Sequence, residues 1–136
     1  MEGVVIRQNP SSASNASTIK TLSIVSPFLD EASAAPNFSE MLAELEREVA
    51  SRFGLETEIV LVDDGSTDNG AALFASHLVG RWKIIQLSRN FGKEIALFAG
   101  IEAASSDLVL LMDADLQHSL SVSLRLIETI VADPET

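Results

Sequence analysis

The stretch LVLLMDADLQHS, residues 108–119, places two carboxylates and an amide directly after an uninterrupted apolar run. The run lacks the polar alternation of a half-exposed strand, which is typical of a strand covered on both faces. Asp113, Asp115 and Gln117 supply the hard oxygen ligands that Mg²⁺ and Mn²⁺ prefer. The stretch therefore predicts a buried parallel strand with a metal-binding turn at its carboxyl end, although aspartates are also common in plain turns.

Together with this run, three further apolar runs predict strands, and helical patterns separate the four. The predicted strands are TLSIVS (21–26), EIVLV (58–62), WKIIQLS (82–88) and DLVLLM (107–112). Helical spacing is found at Leu42, Leu45, Val49 and Phe53, at Ala71, Leu73, Phe74 and Leu78, and at Ile95, Leu97, Phe98 and Ile101. Strand and helix alternate, which predicts an α/β fold with a doubly wound, mostly parallel sheet and helices on both faces.

The first of these helices carries signals for both of its ends. Asn37 and Glu40 have the spacing of a capping box, which predicts the start of the helix there. Gly54 is placed as a stop signal.

Composition restricts the class of protein. The chain has 136 residues, 46% hydrophobic and 21% charged, which suits one globular domain. A net charge of −11 disfavours nucleic acid and anionic lipid as partners. The absence of cysteine excludes disulfides and thiolate chemistry. With no apolar run long enough to span a membrane and no signal peptide, the sequence predicts a soluble, cytoplasmic chain with a flexible leader over residues 1–20 and an α/β domain over 21–136.

Polar clusters follow each predicted strand at its carboxyl end, where open parallel sheets bind ligands. The clusters are SPFLDEAS, DDGSTDNG, RNFGKE and DADLQHS. Asp63 and Asp64 can accept hydrogen bonds from a base or a ribose, or can form an Asx turn and helix cap. Lys93, next to Gly92 at a predicted helix start, can bind phosphate or can be a solvated first-turn lysine.

The ordered motifs VDDGSTDNG and SRNFGKEIALFAGIEAASSDLVLLMDADLQH resemble family 2 glycosyltransferases with the glycosyltransferase A fold. Within that family they are most similar to the polyprenol-phosphate sugar transferases, and the resemblance covers about residues 21–118. It implies that a sugar is transferred, with inversion, from a nucleoside diphosphate sugar to a polyprenyl phosphate, with Mg²⁺ or Mn²⁺ as cofactor. It also implies a parent enzyme associated with the cytoplasmic face of a membrane.

The resemblance assigns roles to individual residues. Pro27 and Glu31 match the family's Pro-x-Tyr-Asn-Glu turn, whereas Leu29 and Asp30 stand where that pattern has Tyr and Asn. Together with Lys93, the predicted nucleotide-sugar-binding residues are Pro27, Leu29, Glu31, Val62, Asp63, Asp64, Asp113, Ala114 and Asp115. The implied metal ligands are Asp115 and Gln117, with Asp113 beside them. The chain departs from the family's Pro-Pro-Glu after His118, which is therefore predicted to be a turn residue.

The last predicted helix has an unusually wide apolar face. Its apolar residues, which are Leu120, Val122, Leu124, Leu126, Ile127, Ile130 and Val131, span an arc of about 200°. Such a helix either lies between two layers or lacks a cover. The resemblance favours the second interpretation: the chain is an N-terminal fragment, and the acceptor site and the catalytic base belong to the absent half.

Two alternatives come from other functional classes. The first is a phosphoacceptor receiver domain, in which Asp113 would be phosphorylated. That class needs a lysine after the phosphorylated aspartate, and none follows Asp113. The second is a non-catalytic α/β module that self-associates through the apolar face of the last helix.

Overall fold

The computed structural model describes residues 4–7, 19–114 and 120–132. The strands are β1 (Val4–Arg7), β2 (Thr21–Phe28), β3 (Glu56–Asp63), β4 (Arg81–Gln86) and β5 (Leu108–Leu111). The helices are α1 (Ala35–Phe53), α2 (Gly70–His77), α3 (Lys93–Ala103) and α4 (Leu120–Ala132), and a short 3₁₀ helix, Ala32–Ala34, precedes α1. The strands form one sheet in the order β1-β5-β2-β3-β4.

The order in which successive parallel strands are added to the sheet reverses once. β2, β3 and β4 follow one another in space as parallel neighbours, and β5 then pairs in parallel with the other side of β2. Because parallel crossovers are right-handed, a reversal moves the connecting helix to the opposite face. Accordingly, residues of α1, α2 and α4 share the larger core, whereas α3 covers Val25, Val60 and Val109 on the other face. The predicted doubly wound α/β fold is confirmed.

β1 corrects the predicted flexible leader. Val4–Arg7 pairs antiparallel with β5, from Val4 opposite Leu111 to Arg7 opposite Leu108. The prediction was wrong for these four residues, because β5 would otherwise present an unpaired edge and the VVIR sequence favours an extended strand. Residues 8–18 of the predicted leader lie outside the described part of the chain.

α1 begins earlier than its capping pattern predicted. The helix starts at Ala35 with Pro36 in its first turn, and Asn37 and Glu40 lie inside it. Proline suits the first turn because its missing N–H would have no partner there and its φ is already helical. The predicted stop is confirmed: Gly54 has φ 68°, a left-handed conformation that glycine adopts at little cost.

The wide apolar arc of α4 is only partly covered. Leu124 and Ile127 are buried, whereas Val122 is 45% exposed. Leu120, Leu126, Ile130 and Val131 are partly buried against the larger core. The interior side of α4 therefore packs on this domain, while the flank that carries Val122 faces outward. Among the described residues, no helix is both long enough and apolar enough to cross a membrane.

α3 lies very close to the sheet. A Cβ at Gly100 would overlap the Cγ1 of Val25 and would lie 3.1 Å from the Cγ2 of Val62. Glycine at this position lets the helix backbone approach β2 and β3, although glycine is a poor helix former. This close approach places the second half of α3 directly against β2 and β3.

A buried polar cluster lies near the amino end of the sheet, on the α3 face. The Oγ of Ser23 donates to Oε2 of Glu58 at 2.8 Å, and the ammonium of Lys83 lies 3.2 Å from Oε1. Lys83 also donates to the carbonyl of Ala103 at the end of α3, at 2.9 Å. Burial by itself raises the pKa of Glu58, but the Ser23 hydrogen bond and Lys83 outweigh it and hold this pKa below the usual 4.5.

The lowered pKa of Glu58 predicts a pH-dependent contribution to stability. Ionised Glu58 stabilises the fold fully above its unfolded pKa, and this contribution is lost as pH falls through the folded-state pKa. We expect the free energy of unfolding of the wild type to exceed that of Glu58→Gln near neutral pH, and the gap to shrink on acidification. Urea unfolding of both chains between about pH 7 and pH 3 measures this gap. A gap that stays constant or widens in acid would contradict the assignment.

Candidate functional site

A cleft of about 380 Å³ lies at the carboxyl ends of β2, β3 and β5. Its lining residues are Pro27, Phe28, Leu29, Glu31, Asp64, Asn90, Gly92, Lys93, Asp113 and Ala114. The cleft coincides with the reversal of strand order between β2 and β5. Open α/β sheets bind their ligands at such a switch point.

The carboxylate of Asp64 joins two of the loops that form the cleft. Its Oδ1 accepts the backbone N–H of Phe91 at 2.9 Å, and its Oδ2 accepts that of Gly92 at 3.1 Å. Asp64 is only 4% exposed, so these hydrogen bonds compensate for much of the water that the carboxylate has lost. Asp64 thereby fixes the loop that begins α3 onto the end of β3.

Gly65 allows these two loops to approach each other closely. Its φ is +87°, and a Cβ there would lie 2.6 Å from the carbonyl carbon of Arg89 and 2.5 Å from the nitrogen of Asn90. Any side chain at this position would push the two backbones apart. Both the conformation and the contact therefore require glycine.

Two further aspartates join the loop after β2 to the loop after β3. Oδ1 of Asp30 accepts the N–H of Thr67 at 2.8 Å, and the N–H of Asp30 donates to Oγ of Ser66 at 2.9 Å. Asp30 has φ 52°, a left-handed conformation that Asp and Asn both tolerate, so the replacement of the family's Asn keeps this turn. Oδ2 of Asp68 accepts the N–H of Ala32 at 2.9 Å.

An ion pair crosses the cleft. The ammonium of Lys93, the first residue of α3, lies 2.7 Å from Oδ1 of Asp113, just beyond β5. The Lys93 side chain is 50% exposed, so this pair contributes little to stability. The pair places an exposed cation at a helix N-terminus, where an anion is favoured. Beside it lies a carboxylate that can accept hydrogen bonds from hydroxyls or bind a metal.

The structure brings together most of the predicted binding residues. Pro27, Leu29, Glu31, Asp64, Lys93, Asp113 and Ala114 all line the cleft. Asp115 and Gln117, the other predicted metal ligands, lie outside the described residues, as does His118.

Val62 and Asp63 do not line the cleft, so the structure does not bring them together with the other predicted nucleotide-sugar-binding residues. Val62 has no accessible surface and packs beneath α3. Because β3 extends through Asp63, successive side chains alternate between its faces, and Asp63 lines a second cavity beside α2 instead. Its Oδ1 accepts the N–H of Ser66, three residues further on, at 2.7 Å, so Asp63 also stabilises the turn that follows β3.

Several residues of the site were missed by the sequence analysis. Asn90 and Phe28 line the cleft, and the guanidinium of Arg89 lies 4.4 Å from the ring centre of Phe91. The position of RNFG between β4 and α3 could have indicated Asn90, since that loop reaches the same sheet edge. The bridging roles of Asp30 and Asp68 depend on partners more than thirty residues away in the sequence.

The described part of the cleft offers oxygen ligands of the kind that Mg²⁺ and Mn²⁺ bind. Glu31 and Asp113 contribute carboxylates to its lining. The described residues include no group of three or more His, Cys, Asp or Glu side chains placed to hold a metal ion. A complete metal site at this edge would therefore need the predicted ligands Asp115 and Gln117.

Comparison with known proteins shows which family and which relatives resemble this chain. The family described as "Glycosyl transferase family 2" matches residues 23–136. The prophage bactoprenol glucosyl transferase homolog of Escherichia coli (strain K12) is 39% identical over 109 residues, which cover 79% of this chain and 34% of that protein. The undecaprenyl-phosphate 4-deoxy-4-formamido-L-arabinose transferase of Aeromonas hydrophila is 34% identical over 121 residues, covering 84% and 35%. The chain thus spans about a third of the length of the curated relatives it matches.

Solved structures share the fold. A mannosyltransferase from Pyrobaculum calidifontis, in complex with GDP-mannose and Mn²⁺, superposes with a TM-score of 0.60 at 20% identity over 74% of this chain and 29% of that chain. Glucosyl-3-phosphoglycerate synthase from Mycobacterium tuberculosis, in complex with UDP, gives a TM-score of 0.62 at 19% identity over 92% and 45%. At these identities the likeness supports the architecture of the sheet and its helices.

Asp64→Asn should loosen the loop before α3. An amide has one acceptor oxygen, so one of the two loop N–H groups would face an NH₂ donor, and we expect a loss of about 1–3 kcal/mol in the free energy of unfolding. Urea unfolding measures the loss, and hydrogen exchange at Phe91 and Gly92 should become faster. The neighbouring Asp63→Asn is the matched control, because its amide oxygen can still accept the N–H of Ser66. Equal effects of the two substitutions would contradict the bridging role of Asp64.

Proposed function

Because the chain belongs to glycosyl transferase family 2, we propose that it carries the donor-binding half of an inverting enzyme. That enzyme moves a sugar from a nucleoside diphosphate sugar to a polyprenyl phosphate. The names of the bactoprenol and undecaprenyl-phosphate transferase relatives support the lipid-linked acceptor. Since the chain spans about a third of those relatives, the acceptor site and the general base are proposed to lie outside it.

The observation that carries this proposal is the placement of opposite charges across the cleft. Lys93 stands at the start of α3 and Asp113 at the end of β5, 2.7 Å apart, at the switch point of the sheet. A nucleoside diphosphate sugar presents both groups that this pair can bind: phosphate oxygens for the ammonium and the helix N-terminus, and hydroxyls for the carboxylate. Donor binding would then separate the ion pair and use both of its members.

The remaining walls of the cleft suit a nucleoside. Leu29 is 38% exposed and forms an apolar wall where the family pattern has an aromatic ring. Asp64 uses each oxygen once for the loop, and each carboxylate oxygen has a second acceptor position. The same side chain that shapes the loop can therefore accept a hydrogen bond from a base or a ribose.

A divalent ion, Mg²⁺ or Mn²⁺, is part of the proposal. Asp115 and Gln117, with Asp113 beside them, would hold it, and the complex of the Pyrobaculum mannosyltransferase with Mn²⁺ supports this choice. When bound, such an ion neutralises the negative charge that develops on the departing diphosphate. Lys93, at the same side of the cleft, would add a second positive charge to the diphosphate.

The strand order disfavours the receiver-domain alternative. In the flavodoxin-like order that receiver domains share, the second and third strands lie on opposite sides of the first. Here the first three parallel strands, β2, β3 and β4, lie side by side, and β5 is on the far side of β2. A self-associating module would use α4, but Leu124 and Ile127 already face the chain's own core.

Calorimetric titration with UDP and GDP, each with and without Mn²⁺, tests donor binding directly. We expect metal-dependent binding of one nucleotide and at least about a tenfold loss of affinity in Asp113→Asn and in Asp115→Ala. Asp63→Asn, which changes a side chain outside the cleft, should bind like the wild type. A folded chain that binds neither nucleotide, or an Asp113→Asn variant with unchanged affinity, would contradict the proposal.

Lys93→Met should change the affinity for the nucleotide and the affinity for Mn²⁺ in opposite directions. Removing the ammonium should weaken diphosphate binding, because a cation in the cleft is lost. The affinity for Mn²⁺ alone should not fall and is expected to rise, because Asp113 loses its cationic neighbour. Weakened binding of both nucleotide and metal would indicate that the variant disturbs the fold, which a urea unfolding curve would show.

A further inference from the structure

A second cavity, of about 490 Å³, lies between α2 and β4. We call it the α2–β4 groove; its lining residues are Asp63, Ser66, Thr67, Asn69, Gly70, Ala71, Ala72, Ala75, Trp82, Ile84 and Gln86. It shares no lining residue with the donor cleft. The boundary between the two passes between the adjacent residues Asp63 and Asp64, whose side chains point to opposite faces of β3.

Asp63 gives the groove a buried acceptor with unused capacity. The residue is 4% exposed, and its Oδ1 accepts the N–H of Ser66. In the described part of the chain, its Oδ2 has no hydrogen-bond partner and no cation pairs with it. Oδ2 is not one of the fully buried oxygens that lack a partner, so it keeps some exposed surface, and a ligand hydroxyl in the groove could donate to it.

Small side chains and one aromatic ring shape the rest of the groove. Ala71, Ala72 and Ala75 lie along α2 and leave space above the helix. Trp82 lines the opposite side on β4 and is 38% exposed, so its indole is accessible to a ligand in the groove. Asn69 and Gln86 contribute amide groups that can both donate and accept hydrogen bonds.

The charges of the lining select the class of ligand. No Lys, Arg or His is among the described lining residues, so nothing there would neutralise a phosphate or a carboxylate. One carboxylate is also too few for a dedicated divalent site. A neutral, hydroxyl-rich molecule with an apolar face fits best, because its hydroxyls can donate to Asp63 and its C–H face can lie against Trp82.

We propose that the α2–β4 groove binds neutral carbohydrate, separately from the nucleotide-sugar cleft. Its Asp63 carboxylate accepts from sugar hydroxyls, Trp82 provides the apolar platform, and the alanines of α2 provide the room. Binding is non-covalent and involves no transfer step. The site would hold a glycan beside the sheet while the cleft remains open to the donor.

The single tryptophan makes the groove directly observable. Trp82 is the one tryptophan of the chain, which has no tyrosine, so intrinsic emission reports on this position. Titration with glucose and with maltose should change Trp82 emission saturably and should shift its indole N–H signal in an NMR spectrum. Asp63→Asn should weaken binding at least about tenfold, because it replaces a charged acceptor by a donor.

Two further variants separate binding from changes in the fold. Ala72 is exposed on α2, so Ala72→Leu should keep the fold while filling the groove, and binding should be lost. Asp113→Asn changes the cleft and should leave the Trp82 response to sugar unchanged. Glucose 1-phosphate should bind more weakly than glucose, because the Asp63 carboxylate repels its phosphate. An unchanged emission and an unshifted indole signal at millimolar sugar would overturn the proposal. So would equal responses of the wild type, Asp63→Asn and Ala72→Leu.

Discussion

The carboxylate of Asp64 is the interaction on which the shape of the cleft depends. It is buried at the end of β3 and accepts two consecutive backbone N–H groups from the loop that begins α3. Without those hydrogen bonds, the loop would lose its attachment to the sheet, and the position of Lys93 across from Asp113 would no longer be defined. Gly65 completes the arrangement, because a side chain there would separate the same two loops. Asp64 and Gly65 together thus set the position of Lys93 relative to Asp113.

Topology determines where this geometry can be used. One reversal of strand order opens the sheet edge between β2 and β5, and α3 is the helix that crosses to the other face. The cleft lies at this edge, where we propose that the donor binds. The Glu58 cluster lies near the opposite end of the strands, so its contribution to stability is spatially separate from ligand binding.

Much of the fold was predictable because its signals are local. Short apolar runs identified the four parallel strands, and at least EIVLV and DLVLLM lack polar alternation. The glycine stop identified the end of α1. The start of α1 was missed because a capping pattern and Pro36 compete within three residues, and Pro36 prevails. β1 was missed because four residues carry a weak signal and their partner, β5, is about a hundred residues away in the sequence. In the site, residue types were predictable, but the faces of Asp63 and Asp64 depend on whether β3 ends at residue 62 or 63.

β1 also affects how the sheet behaves toward other chains. The β5 segment LVLL is apolar, and with its outer edge open it would offer unpaired backbone groups to any extended chain. β1 covers that edge. At the opposite edge of the sheet, β4 pairs with β3 alone among the described strands. Arg81 and Lys83 place positive charge along this edge strand. The two edges of the sheet thus resist aggregation in different ways, the β5 edge by pairing with β1 and the β4 edge by charge. A chain that lost its first seven residues would have only the charged edge protected.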